Sequence, residues 1–207
     1  VSIARADQLT EALLAEKPAI VYIPAELLDT MDLSGCAGRT ELCAVLPRVF
    51  RTADEQPLRA ILERHPEVTS VTVGNWGHMP IVRGLGKTLR GDLGLNVYNS
   101  RAVAFWREQG LTSVTASLEL RWQQVRDLGK YADCEAVIYG RLPLMITENC
   151  MIGNAGNCHG DKRLCDGENA LTDRTGAQFP VQCGYGCRPE IQNSRPLYLA
   201  DKPEWKK

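Results

Sequence analysis

A chain of 207 residues with 44% hydrophobic content can bury a sizeable core without cross-links, and one domain is the default expectation. The formal net charge of −1 and a pI near 6.4 exclude a global electrostatic pull toward phosphate backbones or anionic membranes, so any nucleic-acid contact has to be local. No apolar run reaches the length of a membrane span, and the opening VSIARADQLTEALLAEK lacks the zones of a secretory signal; a cytoplasmic protein is expected. The strand-like start without an initiator Met is expected of a piece of a longer polypeptide, or of a trimmed chain.

Short β-branched apolar runs alternate with amphipathic ones over the first two-thirds of the chain, the pattern of parallel strands separated by helices. VSIA reads as a strand, and ADQLTEALLAE as a helix with Leu9, Leu13 and Leu14 on one face. AIVYIP is the next strand, and CAVLPRVF a weaker one that Pro47 confines to an end or edge. DEQPLRAILERH follows as a helix with Leu58, Ile61 and Leu62 inward, then SVTVGN as a strand, and TLRGD or LGLNV as another. SRAVAFWREQG reads as a helix capped by Ser100 and ended at Gly110, SVTASLE as a strand, LRWQQVRDLGKY as a helix and CEAVIYG as a strand. Six or seven βα units predict an irregular (β/α)-barrel-like α/β fold, with chemistry at the C-terminal strand ends. Those ends deliver Asn75, Asn96, Asn99, Glu119 and Arg141 as candidate substrate-binding residues, although turns and helix caps also call for asparagine. Glu119 and Arg141 at successive strand ends are candidates to converge on one polar substrate, or to form a plain salt bridge. His78, in GNWGHMP, joins them as a catalytic candidate, whereas His65 before Pro66 reads as structural.

After residue 148 the rhythm stops. The predicted organisation is therefore a barrel-like domain over 1–147 and a cysteine-rich, metal-binding segment over 148–207, packed on the barrel and carrying a hairpin, NALTDRTGAQFPVQC, with its turn at Arg174 to Gly176. Apolar material in this segment is sparse, mainly Leu171, Phe179 and Val181. Of eight cysteines, Cys36, Cys43 and Cys134 are scattered, while Cys150, Cys158, Cys165, Cys183 and Cys187 fall within 38 residues. Clustered thiols in an intracellular domain of this size are more often metal ligands or redox groups than disulfides. Four thiolates suit either a structural zinc ion or an iron–sulfur cluster, and the gaps are wider than the paired spacing of a zinc ribbon. His159 beside Cys158 is a possible replacement ligand or base, or simply an exposed loop residue. The signatures of zinc peptidases, α/β-hydrolases and nucleotide-binding loops are absent from the sequence.

The motifs VTVGNWGHMPIVR, GDLGLNVYNSRAVAFWREQGLTSVTASLEL, EAVIYGRLPLMITENCMIG and FPVQCGYGCRPEIQNSRPL, in that order, resemble peptidase family U32, the collagenase-like peptidase family. The likeness runs from about residue 20 to residue 199 and is nearest to the C-terminal part of the long bacterial members. The resemblance implies a barrel-like α/β core followed by a cysteine-bearing segment. Some members are described as collagen-degrading proteases; others are oxygen-independent hydroxylation proteins acting on RNA or in quinone biosynthesis, several of them with a four-iron four-sulfur (4Fe-4S) cluster on four cysteines. Carried over, the ligand set implied is Cys150, Cys158 and Cys187, with Cys165 favoured as the fourth and Cys183 as the alternate. The expected function is iron–sulfur-dependent hydroxylation of an RNA base or quinone precursor, or a component of it alongside a partner subunit. The alternatives are a collagenase-like peptidase, using a thiol with His159 or His78 or a metal with Glu148 as base, and a non-catalytic zinc-stabilised module. The basic PEWKK terminus and the arginines of 121–126 offer a local RNA-binding patch, or a solvated surface.

Overall fold

The computed structural model of the chain describes residues 1–156, 165 and 167–202. Two compact units emerge, Val1–Ala136 and Val137–Lys207. Residues 137–147, assigned to the barrel from sequence, thus share the compact unit of the cysteine-rich tail.

In the first unit, six parallel strands lie in sequential order: β1 (Ile20–Pro24), β2 (Glu41–Val45), β3 (Ser70–Val73), β4 (Thr88–Gly91), β5 (Leu111–Thr115) and β6 (Asp133–Glu135). Between them run α1 (Glu11–Ala15), which precedes β1, α2 (Glu55–Arg64), α3 (His78–Val82), α4 (Ser100–Glu108) and α5 (Trp122–Leu128). VSIA is extended as expected, with Ser2 bridging Tyr22 in parallel. The helix expected over ADQLTEALLAE is interrupted: a 3₁₀ turn at Ala6–Gln8 gives way to α1, where Thr10 Oγ1 accepts the Leu13 amide at 3.2 Å. The second strand starts at Glu41, so Pro47 falls beyond it and removes no ladder hydrogen bond. TLRG is the fourth strand, and Leu93–Leu95 a 3₁₀ turn. Asn99, not Ser100, caps α4, its Oδ1 accepting the Arg101 and Ala102 amides at 3.0 Å each. CEAVIYG is divided between two sheets, since Asp133–Glu135 closes the parallel one and Tyr139–Gly140 joins another.

Alternation along the strands sorts the side chains onto two faces. Val21, Ile23, Leu42, Ala44, Val71, Val73 and Val114 are buried, Val114 among Val103 of α4 and Leu128 of α5. The other face is polar and carries Tyr22, Glu41, Cys43, Ser70, Thr72, Arg90, Ser113 and Glu135. Arg90 grips Glu41 with two parallel bonds, Nε to Oε1 at 3.1 Å and Nη2 to Oε2 at 2.9 Å. Its Nη1 donates to Ser113 Oγ at 3.2 Å, Ser113 donates to Glu135 Oε1 at 3.1 Å, and the Tyr22 hydroxyl donates to Glu135 Oε2 at 2.5 Å. This last bond fixes the curvature. Strands one and six of a flat sheet would stand about 24 Å apart at a strand spacing of about 4.8 Å, so a direct side-chain bond between them requires the sheet to curl into a half-barrel with the polar face inside.

The first unit also holds an imidazole clamp. His65 Nδ1 meets Glu67 Oε1 at 2.7 Å and Nε2 meets Asp29 Oδ1 at 3.0 Å, while Arg64 also bonds Asp29. Both ring partners are acceptors, so the clamp is complete when both ring nitrogens carry a proton. Burial by itself lowers the His65 pKa, but the hydrogen bonds to Glu67 and Asp29 outweigh it and hold it above the ordinary 6.5.

Two measurements test this architecture. Arg90→Ala, which strands two carboxylates on the inner face, is expected to cost about 3 kcal/mol in urea unfolding, and a loss below about 0.5 kcal/mol contradicts the network's role. For His65, a folded pKa above the unfolded one means stability that is complete below about pH 6.5 and is lost as pH rises through the folded value. The wild type should therefore exceed His65→Gln by about 0.5 kcal/mol in acid and by less in alkali, whereas a pH-independent gap refutes the clamp.

Candidate metal-binding site

The second unit is built on an antiparallel sheet whose topology decides where its cysteines go. Following β7 (Tyr139–Gly140) come β8 (Pro143–Ile146), α6 (Met151–Gly156), β9 (Ala170–Thr172), β10 (Gln178–Gln182), β11 (Glu190–Gln192) and β12 (Leu197–Tyr198). The four-stranded sheet has the order β8-β11-β10-β9, with all neighbours antiparallel, and β7 pairs separately with β12. In such a ladder the end of β8, the start of β11, the end of β10 and the start of β9 lie along one edge. Cys150 follows β8, Cys187 precedes β11, Cys183 follows β10 and Cys165 precedes β9. All four described tail cysteines are therefore delivered to the same end of one sheet. The predicted hairpin is β9–β10, with Asp173 Oδ1 accepting the Thr175 and Ala177 amides across its turn.

The surroundings of Cys183 agree with this placement. Burial first, then a hydrogen bond with Cys165 and the nearby Cys165, Cys150 and Cys187 sulfurs, push the Cys183 thiol up to about 12. All seven described cysteines are free thiols. Cys183, ranked behind Cys165 on sequence, stands at the centre of the group. Among the described residues no three His, Cys, Asp or Glu side chains form a ready-made ion cage. Cys158 and His159 lie outside the described residues.

Two features hold the sulfur-bearing loops together. Arg188, buried beside Cys187, donates from Nε to Glu148 Oε1 at 2.8 Å, and Glu148 lies two residues before Cys150, so one ion pair ties both cysteine segments at their bases. In CGYGCR the chain folds tightly on itself: a Cβ on Gly184 would stand 2.6 Å from the Arg188 carbonyl oxygen, and one on Gly186, at φ 65°, would stand 2.6 Å from Arg188 Nη1. Cys187 itself adopts φ 58°, the left-handed region a β-carbon disfavours. Beneath lies a small core of Ile152, Val181 and Ile191, with Cys150 and Cys183 packed against it.

The other sequence candidates are dispersed. His78 is fully buried at the start of α3. Its Nδ1 accepts the Gly74 amide at 2.9 Å and its Nε2 faces the Pro47 carbonyl at 3.1 Å, which requires the Nε2–H tautomer. Burial, opposed by the Pro47 bond, lowers its pKa to about 4, so it stays neutral as a clamp between two loops. Asn96 occupies a left-handed turn position at φ 46°, Asn99 is the α4 cap, and Asn75 Nδ2 donates to the Arg48 carbonyl at 3.3 Å. Glu119 is exposed in the turn after β5. Arg141 follows β7 and donates to the Asn193 carbonyl at 2.8 Å and to that of Ser194. Glu119 and Arg141 therefore do not end successive strands of one sheet, because the split of CEAVIYG puts Arg141 on the β7–β12 pair.

A curled parallel sheet with a thiol-bearing antiparallel segment after it defines a mixed α/β protein of the barrel-like kind. The model of peptidase family U32 matches residues 41–166, more than half of the 207-residue chain, and the chain belongs to that family. No curated protein and no solved structure matches the chain. Among the described residues, no helix is long and apolar enough to cross a membrane.

Gly184→Ala tests the site's geometry. The added methyl forces the Cys183 and Cys187 loop outward and is expected to cost about 2 kcal/mol, seen as a lower melting temperature and faster thiol labelling of Cys183. Gly35→Ala, with only a 3.9 Å contact to Glu11, serves as the neutral control.

Proposed function

We propose that the cysteines at the end of the antiparallel sheet hold an iron–sulfur cluster, and that the protein takes part in oxygen-independent hydroxylation within family U32. The observation that carries the reading is the convergence of Cys150, Cys165, Cys183 and Cys187 on one sheet end, with the Cys183 thiol raised first by burial and then by its sulfur neighbours. Several thiols at one sheet end are the arrangement a soft cation suits, since it stabilises their thiolates together. Cys150, Cys187 and Cys183 are the ligands best supported by position, and Cys158 and Cys165 supply the fourth between them. A bound cluster supplies one-electron transfer. Around it, the Glu148–Arg188 pair sets the distance between the Cys150 and Cys187 segments, and Gly184 and Gly186 let the loop between Cys183 and Cys187 fold closely against Arg188. The substrate class proposed is an RNA base or quinone precursor.

A peptidase has less support. His78 has both nitrogens committed to backbone groups, and His65 both to carboxylates. A zinc-stabilised module shares the sulfur site and differs in the metal alone.

Anaerobic purification with iron and acid-labile sulfide analysis distinguishes these readings. About four of each per chain with broad visible absorption is the expected result, and Cys183→Ala or Cys187→Ala should lose most of both. A colourless, zinc-loaded protein rejects the cluster and selects the module.

A further inference from the structure

The inner face of the parallel sheet poses a separate question, because barrel interiors are ordinarily packed with branched apolar side chains. Here Tyr22, Arg90, Ser113 and Glu135 line a cavity of about 470 Å³, walled on one side by Pro18, Ala19 and Ile20 and reaching Asp133 and Cys134 at the edge strand β6. Its size falls within the range of small-molecule sites, and apolar walls with a few convergent polar groups are their usual construction.

The charges select the ligand. The one side-chain cation, Arg90, is already gripped on two nitrogens by Glu41. Glu135 receives bonds from two neutral hydroxyls, Tyr22 and Ser113, and stands 3.7 Å from Arg90. Asp133 is exposed at the rim. The Val1 ammonium, which also borders the cavity, donates to the Ile20 carbonyl at 2.8 Å. Glu41 and Arg90 offset each other, and Asp133 and Glu135 against the Val1 ammonium leave the group a net charge of −1, which favours cations. Asp133 and Glu135 are two residues apart on one strand, so they face the same way from Cα atoms about 6.6 Å apart. That interval is comparable to the span between the nitrogens of a four-carbon diamine.

We propose that this cavity binds a short aliphatic diamine, one ammonium at Glu135 beside the Tyr22 hydroxyl, the other at Asp133, and the alkyl chain against Ile20 and Ala19. Isothermal titration calorimetry of the protein with butane-1,4-diamine at low salt tests the assignment, with butane-1,4-diol and succinate as neutral and anionic probes of like length. The diamine is expected to bind saturably at one site, the diol and succinate not at all. Asp133→Asn, a change at the exposed rim, and Glu135→Gln should each weaken binding on the order of tenfold. Native far-ultraviolet circular dichroism of each variant excludes loss of the fold as the cause. The proposal is overturned if the diamine gives no saturable heat, if the diol or succinate binds as well, or if Asp133→Asn leaves the affinity unchanged.

Discussion

The antiparallel register of the tail sheet is the constraint on which the functional reading depends. Four strands paired as β8-β11-β10-β9 leave their cysteine-bearing connections no choice of side, and the sulfurs meet at one end. Beneath them the buried apolar cluster consists of Ile152, Val181 and Ile191, whereas Leu171 and Met145 remain largely exposed. So small a core sets little apolar burial against the entropy lost in ordering the segment. A ligand that binds only the folded arrangement shifts that balance by mass action.

The first unit rests on a different principle. Its outward strand positions are apolar and pack on helices, and its inner positions are joined by charge-assisted hydrogen bonds from Glu41 through Arg90 and Ser113 to Glu135 and Tyr22. Among the described residues no buried side-chain nitrogen or oxygen lacks a partner, so the polar face is fully satisfied. Such a network specifies the curl of the sheet, because Tyr22 and Glu135 meet only when the first and last strands approach. It also leaves an inner surface suited to a polar guest, separate from the sulfur site in both residues and chemistry.

Most of the parallel strands and helices were legible in the chain because alternation and capping are local signals, as at Ser70–Val73 and α2. The tail cysteines were legible through their crowding in sequence, and the family through ordered motifs. What the sequence concealed was non-local. Cys183 looked like the odd thiol of a hairpin, and only the pairing of β10 with both β9 and β11 sets it between the Cys165 and Cys187 segments. CEAVIYG read as one strand because nothing local marks the change of sheet at Ala136. The inner network had a signal that went unused: Tyr22, Glu41, Arg90, Ser113 and Glu135 each interrupt an apolar strand at an alternate position. Asparagines at strand ends drew attention instead, and Asn96 and Asn99 turned out to serve backbone geometry.

Amide hydrogen exchange, comparing anaerobically prepared protein before and after removal of bound metal by a chelator, reads most directly whether sulfur ligation orders the tail. The account predicts that protection across residues 143–192 collapses on chelation while that of the parallel sheet persists. Equal protection of the tail in both states would contradict it.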